Sequence, residues 1–160
     1  MQPIISPVIT RKTTDADEDF LGLLFLSTRP ELLSINLPEP QKNALLKMQF
    51  NAQRRQYDAC YPDADSRIIL QDHTPVGRML VARNDDEIVL VDIALLPEYR
   101  SAGIGSALIQ QLLVEAAETR KRVRLQVFKM NPALRLYERL GFSISADQSM
   151  YWEMIFEPTA

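Results

Sequence analysis

Residues 97–108 read PEYRSAGIGSAL, with Gly103 and Gly105 one residue apart, an oily run before them and a helical pattern after. The oily run, Ile88–Leu96, has the length and composition of a strand. After the glycines, Leu108, Ile109, Leu112, Leu113 and Ala116 fall on one face of a 3.6-residue period, which predicts a helix from Gly103 to Thr119. A strand, a glycine-bearing turn and a helix start together aim backbone N–H groups at an anion, and phosphate is the obvious guest. Three phosphate-binding schemes use this arrangement. A Walker A loop needs Lys-Ser/Thr after its second glycine, but Ser106-Ala107 follows Gly105 here. A dinucleotide fingerprint needs a third small residue where Leu108 stands, and a strand that opens a βαβ unit. What remains is Arg-x-x-Gly-x-Gly, spelled by Arg100, Ser101, Ala102, Gly103, Ile104 and Gly105. Glycines without Cβ atoms let a phosphate come within hydrogen-bonding distance of the amides of Ser101–Ser106, and the positive end of the helix adds a favourable field.

Outward from this stretch the pattern stays regular. Upstream, Arg67–Gln71, Val76–Arg83 and Glu87–Leu96 read as strands of an antiparallel meander, with turns through Asp72–Pro75 and Asn84–Asp86. Downstream come a strand at Val123–Phe128, a short helix capped by Asn131 with Pro132 at its first position and Gly141 at its end, and a hairpin of Phe142–Ala146 with Met150–Phe156. The beginning of the chain suggests a strand near Ile5–Lys12. Thr14 or Asp15 then caps a helix bearing Phe20, Leu23, Leu24 and Leu26 that stops by Thr28. A loop follows from Glu31 to Gln41. A second helix carries Leu45, Leu46, Met48, Ala52 and Tyr57 and ends before Pro62. No repeat or linker breaks the 160 residues, so a single domain over 1–160 is expected.

Composition narrows the function classes. With 46% hydrophobic and 24% charged residues the chain is an ordinary globular one, and its net charge of −3 argues against a nucleic-acid partner and mildly for cationic ones such as amines. The lone Cys60 excludes an intramolecular disulfide and reads as a small residue at a helix end. His73, the one histidine, falls in a turn where a solvated polar residue is expected. No oily run spans a bilayer and the N-terminus lacks a signal-peptide core, so a cytoplasmic protein without a membrane partner is expected.

The Arg100–Gly105 spacing resembles the coenzyme A loop of the GNAT superfamily of N-acetyltransferases. A second stretch, Asn131-Pro132-Ala133-Leu134-Arg135-Leu136-Tyr137-Glu138-Arg139-Leu140-Gly141-Phe142, is similar to the helix and Gly-Phe strand start that follow that family's fifth strand. The two come in the right order, and the resemblance covers residues 67–156 strongly. It implies an α/β (α+β) fold: a mixed, mostly antiparallel sheet of six to seven strands, about four helices, and parallel fourth and fifth strands that splay apart. It also implies acetyl-CoA as cosubstrate, with no metal. In that frame Arg100 braces the loop, and Ser101, Ala102, Gly103, Ile104, Gly105 and Ser106 hold the pyrophosphate. The backbone of Ile93, Ala94 and Leu95 takes the pantetheine arm and supplies an oxyanion donor. Tyr137 donates a proton to the departing thiolate. Asn131 contacts the coenzyme or caps its own helix; relatives carry that asparagine one position earlier, where Met130 stands. Asp92, the odd carboxylate in the apolar run Val89–Leu95, is a candidate base or an ion-pair partner of an arginine such as Arg78. Glu87 is a second candidate base or a solvated edge residue. The acceptor site in such folds is built by the first two helices and the last hairpin, here with Phe20, Met48, Phe50, Tyr57, Tyr151 and Trp152. The acceptor is a small-molecule amine, a peptide N-terminus or a lysine. A non-catalytic acyl-CoA-binding module is the alternative, and an RNA-directed acetylating enzyme sits poorly with the acidic charge. Monomer and homodimer are both open, with pairing through a sheet edge or the last hairpin suggested by the exposed-strand potential of Met150–Phe156.

Overall fold

Residues 8–159, described by a computed structural model, form seven strands and five α-helices. In chain order these are β1 (Val8–Lys12), α1 (Glu18–Ser27), α2 (Pro30–Leu33), α3 (Glu39–Cys60), β2 (Asp65–Gln71), β3 (Thr74–Arg83), β4 (Glu87–Leu95), α4 (Ile104–Thr119), β5 (Arg122–Phe128), α5 (Ala133–Arg139), β6 (Ser143–Gln148) and β7 (Tyr151–Phe156). Single 3₁₀ turns stand at Asp15–Asp17 and Pro97–Tyr99. The strands are ordered β1-β2-β3-β4-β5-β7-β6, with β4 and β5 parallel. This is the mixed sheet that the resemblance implies. Of the first strand expected near Ile5–Lys12, Ile5–Pro7 lie outside the described residues.

The chain divides into two compact units. The first runs to Met79 and takes in Ala94–Tyr99. In it β1 pairs antiparallel with β2, from Val8 opposite Gln71 to Lys12 opposite Arg67. Ile68, Ile69 and Leu70 are buried in succession, the mark of a strand covered on both faces. Phe25 of α1 and Phe50 of α3 meet with ring centroids 5.6 Å apart. The expected loop at Glu31–Gln41 is corrected at both ends, because α2 begins at Pro30 and α3 already at Glu39. The two prolines of that stretch, Pro38 and Pro40, stand at the start of α3, and Pro30 begins α2, positions where a missing N–H costs no hydrogen bond. Between β2 and β3 the chain turns through Asp72 (φ 50°) and His73 (φ 68°), both left-handed as a two-residue hairpin turn requires. His73 is exposed, as expected, and Cys60 is the last residue of α3, at the helix end where it was placed.

Asp17 ties the entry of α1 to β1. Its carboxylate accepts hydrogen bonds from both terminal nitrogens of Arg11 at 2.7 and 2.8 Å and from the Thr14 N–H at 2.8 Å. These bonds outweigh the cost of burial and draw the carboxyl from its ordinary 3.8 to about 2. A carboxyl depressed by folding stabilises the native state above its unfolded pKa, and that contribution is lost as pH falls through the folded one. Asp17→Asn is therefore expected to cost about 1.5–3 kcal/mol at neutral pH, the range for hydrogen bonds to a charged group, here the Arg11 pair. Its thermal melts should converge with wild type between about pH 4 and pH 2. Equal melting temperatures at pH 7 by circular dichroism would remove this pair from the fold's stability.

The second unit comprises Leu80–Ile93 and the chain from Arg100 onward. Ile88, Val89 and Leu90 of β4 are buried in succession, and Val123, Leu125 and Val127 of β5 alternate with more exposed neighbours. The buried face of α4 is Ile104, Leu108, Ile109, Leu112 and Ala116, one turn longer at its start than the sequence suggested and without Leu113. Arg83 of β3 holds Glu115 of α4 through bonds of 2.6 and 2.9 Å. β7 pairs antiparallel with β5 along Val123–Phe128 and with β6 on its other side. The expectation that Met150–Phe156 offers a free edge is thus corrected: the hairpin folds β7 back beside β5 and leaves β6 outermost. β6 is short, mostly exposed, and shifted in register between Ile144 and Ala146, all features that blunt an edge.

Candidate active site

The glycine loop follows β4 through the turn Pro97–Tyr99, whose Tyr99 N–H bonds the Leu96 carbonyl at 2.9 Å. Ser101 (φ 62°) and Gly103 (φ 87°, ψ 0°) both take left-handed conformations before α4 begins. Gly103 is the cap residue, and its carbonyl accepts the Ala107 N–H at 3.0 Å. The N–H groups of Ile104, Gly105 and Ser106 precede any intrahelical acceptor, so they stand at the positive end of the helix. No acidic residue occupies the first turn of α4 to compete for that end. Buried Ile104 anchors the helix start, whereas Arg100, Ser101, Ala102 and Gly103 are exposed. A Cβ built on Gly103 meets no atom within 4 Å. The loop therefore presents bare backbone to open space, the geometry that binding an anion through amides requires.

Within the second unit β4 and β5 pair in parallel from Glu87 opposite Arg122 to Leu90 opposite Leu125. Both strands run on past that last pair, β5 to Phe128 with β7 still at its other side. From Val91 to Leu95 every residue of β4 is half-buried, although four of the five are apolar. The strands thus part after Leu90, as the resemblance implies.

At the closed end of the pair, Glu87 is held by Arg124 at 3.0 Å and Arg122 at 3.4 Å. The Arg124 hydrogen bonds, opposed by partial burial and aided by both positive charges, keep this carboxyl below its usual range. Solvation at an edge is corrected to an ion-pair clamp, and a carboxylate so held is a poor proton acceptor.

Asp92 lies half-buried beyond the last strand pair. Tyr137 of α5 is 8% exposed and is the one buried residue of that helix. Leu134 and Leu136 of the same helix and Leu140 just after it are only half-buried. The Tyr137 ring meets Phe142 edge-on at 5.8 Å. Its phenol is pushed up from 10.0 to about 12, first by burial and then by the negative charge of Asp92. Structure thus brings Asp92 and Tyr137 within electrostatic reach of each other. Asn131 caps α5: its Oδ1 accepts the Ala133 N–H at 2.9 Å, with helical residues beginning just after Pro132.

The residues expected around an acceptor divide. Phe50 belongs to the core, its ring tilted 54° against that of Phe25 and the Arg54 guanidinium 4.7 Å from its centroid. Met48 is exposed and Phe20 half-buried. Tyr57 lies under the Arg78 guanidinium at 5.8 Å. In the other unit, exposed Tyr151 meets Phe128 edge-on at 5.6 Å, and Trp152 lies 4.1 Å from the Lys129 ammonium, which also bonds Asp147. Gly77, which the sequence reading passes over, is buried inside β3. An isolated glycine inside a strand pattern is the signal that marks it, since such a residue admits a close approach of other atoms.

Comparison with known proteins agrees with this geometry. The profile of the acetyltransferase (GNAT) family matches residues 29–142. The [ribosomal protein bS18]-alanine N-acetyltransferase of Haemophilus influenzae is 30% identical over 76 residues, 47% of this chain and 52% of that protein. The chain thus spans about half the length of this curated relative. Among solved structures, a PaiA N-acetyltransferase from Thermoplasma acidophilum in complex with coenzyme A has a TM-score of 0.70 at 16% identity, covering 94% of this chain and 99% of that one. An acetyltransferase from Thermus thermophilus has a TM-score of 0.67 at 16% identity, covering 94% and 96%. With the parted parallel strands, the open glycine loop and a family match over most of its length, the chain belongs to the acetyltransferase (GNAT) family.

Proposed function

We propose that residues 1–160 form one N-acetyltransferase domain that takes acetyl-CoA as donor and a primary amine as acceptor. The observation that carries this reading is the exposed, left-handed loop at Ser101–Gly103, where the position of a Cβ on Gly103 is open. A coenzyme A complex of a protein with the same fold supports it. The amides of Ser101–Ser106 hold the pyrophosphate, Arg100 braces the loop, and the Ile93–Leu95 backbone lies along the pantetheine arm. Asn131 acts as the cap of α5. When bound, acetyl-CoA supplies a thioester whose acyl group is activated for transfer to nitrogen.

Asp92 takes the proton that the attacking amine sheds, and the Tyr137 hydroxyl is the proton source for the departing sulfur. The two steps are coupled in a useful direction. The Asp92 charge is one of the two causes that raise the Tyr137 phenol. Once Asp92 is protonated that cause disappears, and the phenol becomes a better acid as its proton is needed. Burial, the larger cause, remains. It also favours the one competing reading, in which Tyr137 is only a core aromatic and the domain binds acyl-CoA without turning it over.

Among acceptors, the bS18-alanine relative lends support to a peptide N-terminus over a lysine or a small-molecule amine. Incubation with acetyl-CoA and mixed libraries of amines, peptides and proteins, read by mass spectrometry, is expected to reveal an acetylated product with stoichiometric release of the free thiol. Tight acetyl-CoA binding with no product from any library would favour the binding module.

A further inference from the structure

Three carboxylates of the second unit each hold a cation: Glu87 holds Arg122 and Arg124, Glu115 holds Arg83, and Asp147 holds Lys129. Glu153 of β7 differs. It is half-buried, yet among the described residues its carboxylate meets only neutral donors, the Ser145 hydroxyl at 2.9 Å on one oxygen and the Gln148 amide at 3.3 Å on the other. Gln148 in turn accepts from the Gln126 amide at 2.6 Å. Two such bonds leave roughly half of a carboxylate's lone-pair sites open, and they leave its charge without a counter-ion. Partial burial of that charge costs solvation that no Coulombic partner returns.

The register shows what this carboxylate faces. Val123, Leu125 and Val127 of β5 and Met154 of β7 are buried on one face of the sheet. Side chains alternate along a strand, so Gln126, Phe128, Tyr151 and Glu153 share the other face, with Glu153 opposite Gln126 and Tyr151 opposite Phe128. Gln126 and Phe128 belong to the stretch of β5 beyond its last pair with β4, so they border the gap between the parted strands. Lys129 is held by Asp147 and Trp152, which belong to the opposite face, and Arg124, on the face of Glu153, is held by Glu87 at 3.0 Å. Tyr151 is 42% exposed, its ring edge-on to Phe128 at 5.6 Å. A carboxylate beside an exposed aromatic ring is the chemistry that holds an ammonium or a guanidinium.

We propose that Glu153, with Tyr151 beside it, is a specificity site for a second cation on the acceptor: the acceptor peptide carries arginine or lysine one or two residues behind the amine that is acetylated. Charge complementarity selects the cation. The sheet sets the spacing, since β7 lies one strand, about 5 Å, from the strand that borders the gap. This site rests on the reading of the acceptor as a peptide N-terminus.

The test uses short synthetic peptides with N-terminal alanine and either arginine or citrulline at the second or third position; citrulline keeps the shape and removes the charge. Calorimetry in the presence of free coenzyme A, where no transfer can occur, is expected to show the arginine peptide bound about tenfold more tightly, the effect of one charge-assisted hydrogen bond. Salt should shrink the preference. Glu153→Gln should bring the arginine peptide to the citrulline level and leave the citrulline peptide, acetyl-CoA affinity and melting temperature unchanged. In turnover the loss should fall on KM and not on kcat, a split that damage to the hairpin does not produce. Asp147→Asn, which removes a carboxylate of the same hairpin from the other face, should keep the preference. Equal binding of the two peptides by the wild type overturns the site, as does binding of neither, and both results hold whether or not the variants fold. A preference that survives Glu153→Gln overturns it too. Acetylation of both peptides with equal kcat/KM removes the site and leaves the transfer reading standing. Binding with the expected preference but no acetylation supports the cation site and removes the transfer reading instead.

Discussion

Gly103→Val is expected to fold and to lose acetyl-CoA affinity by about two to four orders of magnitude, the sum of roughly two charge-assisted hydrogen bonds at about 1.5–3 kcal/mol each. Two observations separate its effect on the fold from its effect on the site. Gly103 sits at φ 87°, where a β-branched side chain is strained by about 1–3 kcal/mol. That strain lowers the melting temperature by about 2–4 °C per kcal/mol in a chain of this size. The added side chain strikes nothing, however, because no atom lies within 4 Å of its Cβ. Packing therefore survives, and the valine methyls fill the space through which a pyrophosphate would approach the amides. Gly103→Ala should show a smaller loss, since one methyl leaves part of that space open. Calorimetric titration beside a melting curve decides the matter, and wild-type affinity in a folded Gly103→Val would take the loop out of the coenzyme site.

The parts of this molecule that were legible in the sequence are those governed by local chemistry. Gly103 and Gly105 between an oily run and a helical period announced a strand, a turn and a helix, and these stand at Glu87–Leu95 and Ile104–Thr119. The change from period 3.6 to period 2 at Arg67 marked the meander. What stayed hidden depends on partners distant in the chain. Glu87 looked like a solvated edge because nothing local shows that a parallel register brings Arg122 and Arg124 to it, 35 and 37 residues away. Nothing local marks Tyr137 as the buried residue of α5, since Leu134 and Leu136 share that short helix. Which face α5 buries is decided by neighbours such as Phe142, and that face is the tyrosine's. Gly77 carries no turn signal, and only the approach of Ala94 explains it. Pro38 and Pro40 mislead for the opposite reason: a local rule, that proline breaks helices, meets its exception at the start of α3.

Tyr137→Phe is expected to reduce turnover by roughly 10²–10⁴-fold, the usual effect of deleting a general acid, while acetyl-CoA affinity and melting temperature stay near wild type. The substitution removes one hydroxyl and keeps the ring that lies edge-on to Phe142 at 5.8 Å, so the packing of α5 is preserved. The magnitude follows from the energetics of the proton. A phenol at about 12 gives its proton to a thiolate whose conjugate acid lies near 8.5 only uphill, by about 5 kcal/mol if the transfer stood alone. In the proposed reaction, transfer would therefore be productive only in concert with cleavage of the carbon–sulfur bond and with Asp92 protonated, since that removes the smaller of the two causes holding the phenol high. Asp92→Asn should consequently lose the base yet lower the phenol pKa, so its turnover falls while a spectroscopic titration of Tyr137 moves to lower pH. A packing role predicts a different pattern. Tyr137→Phe would then keep its activity, and only Tyr137→Ala would fail, with a stability cost of about 3–5 kcal/mol for a buried aromatic. Full turnover by Tyr137→Phe on the true acceptor would end the assignment of the hydroxyl as proton donor. Loss of turnover with unchanged affinity and melting temperature could not come from packing, because the ring and its contact with Phe142 are the same in both proteins.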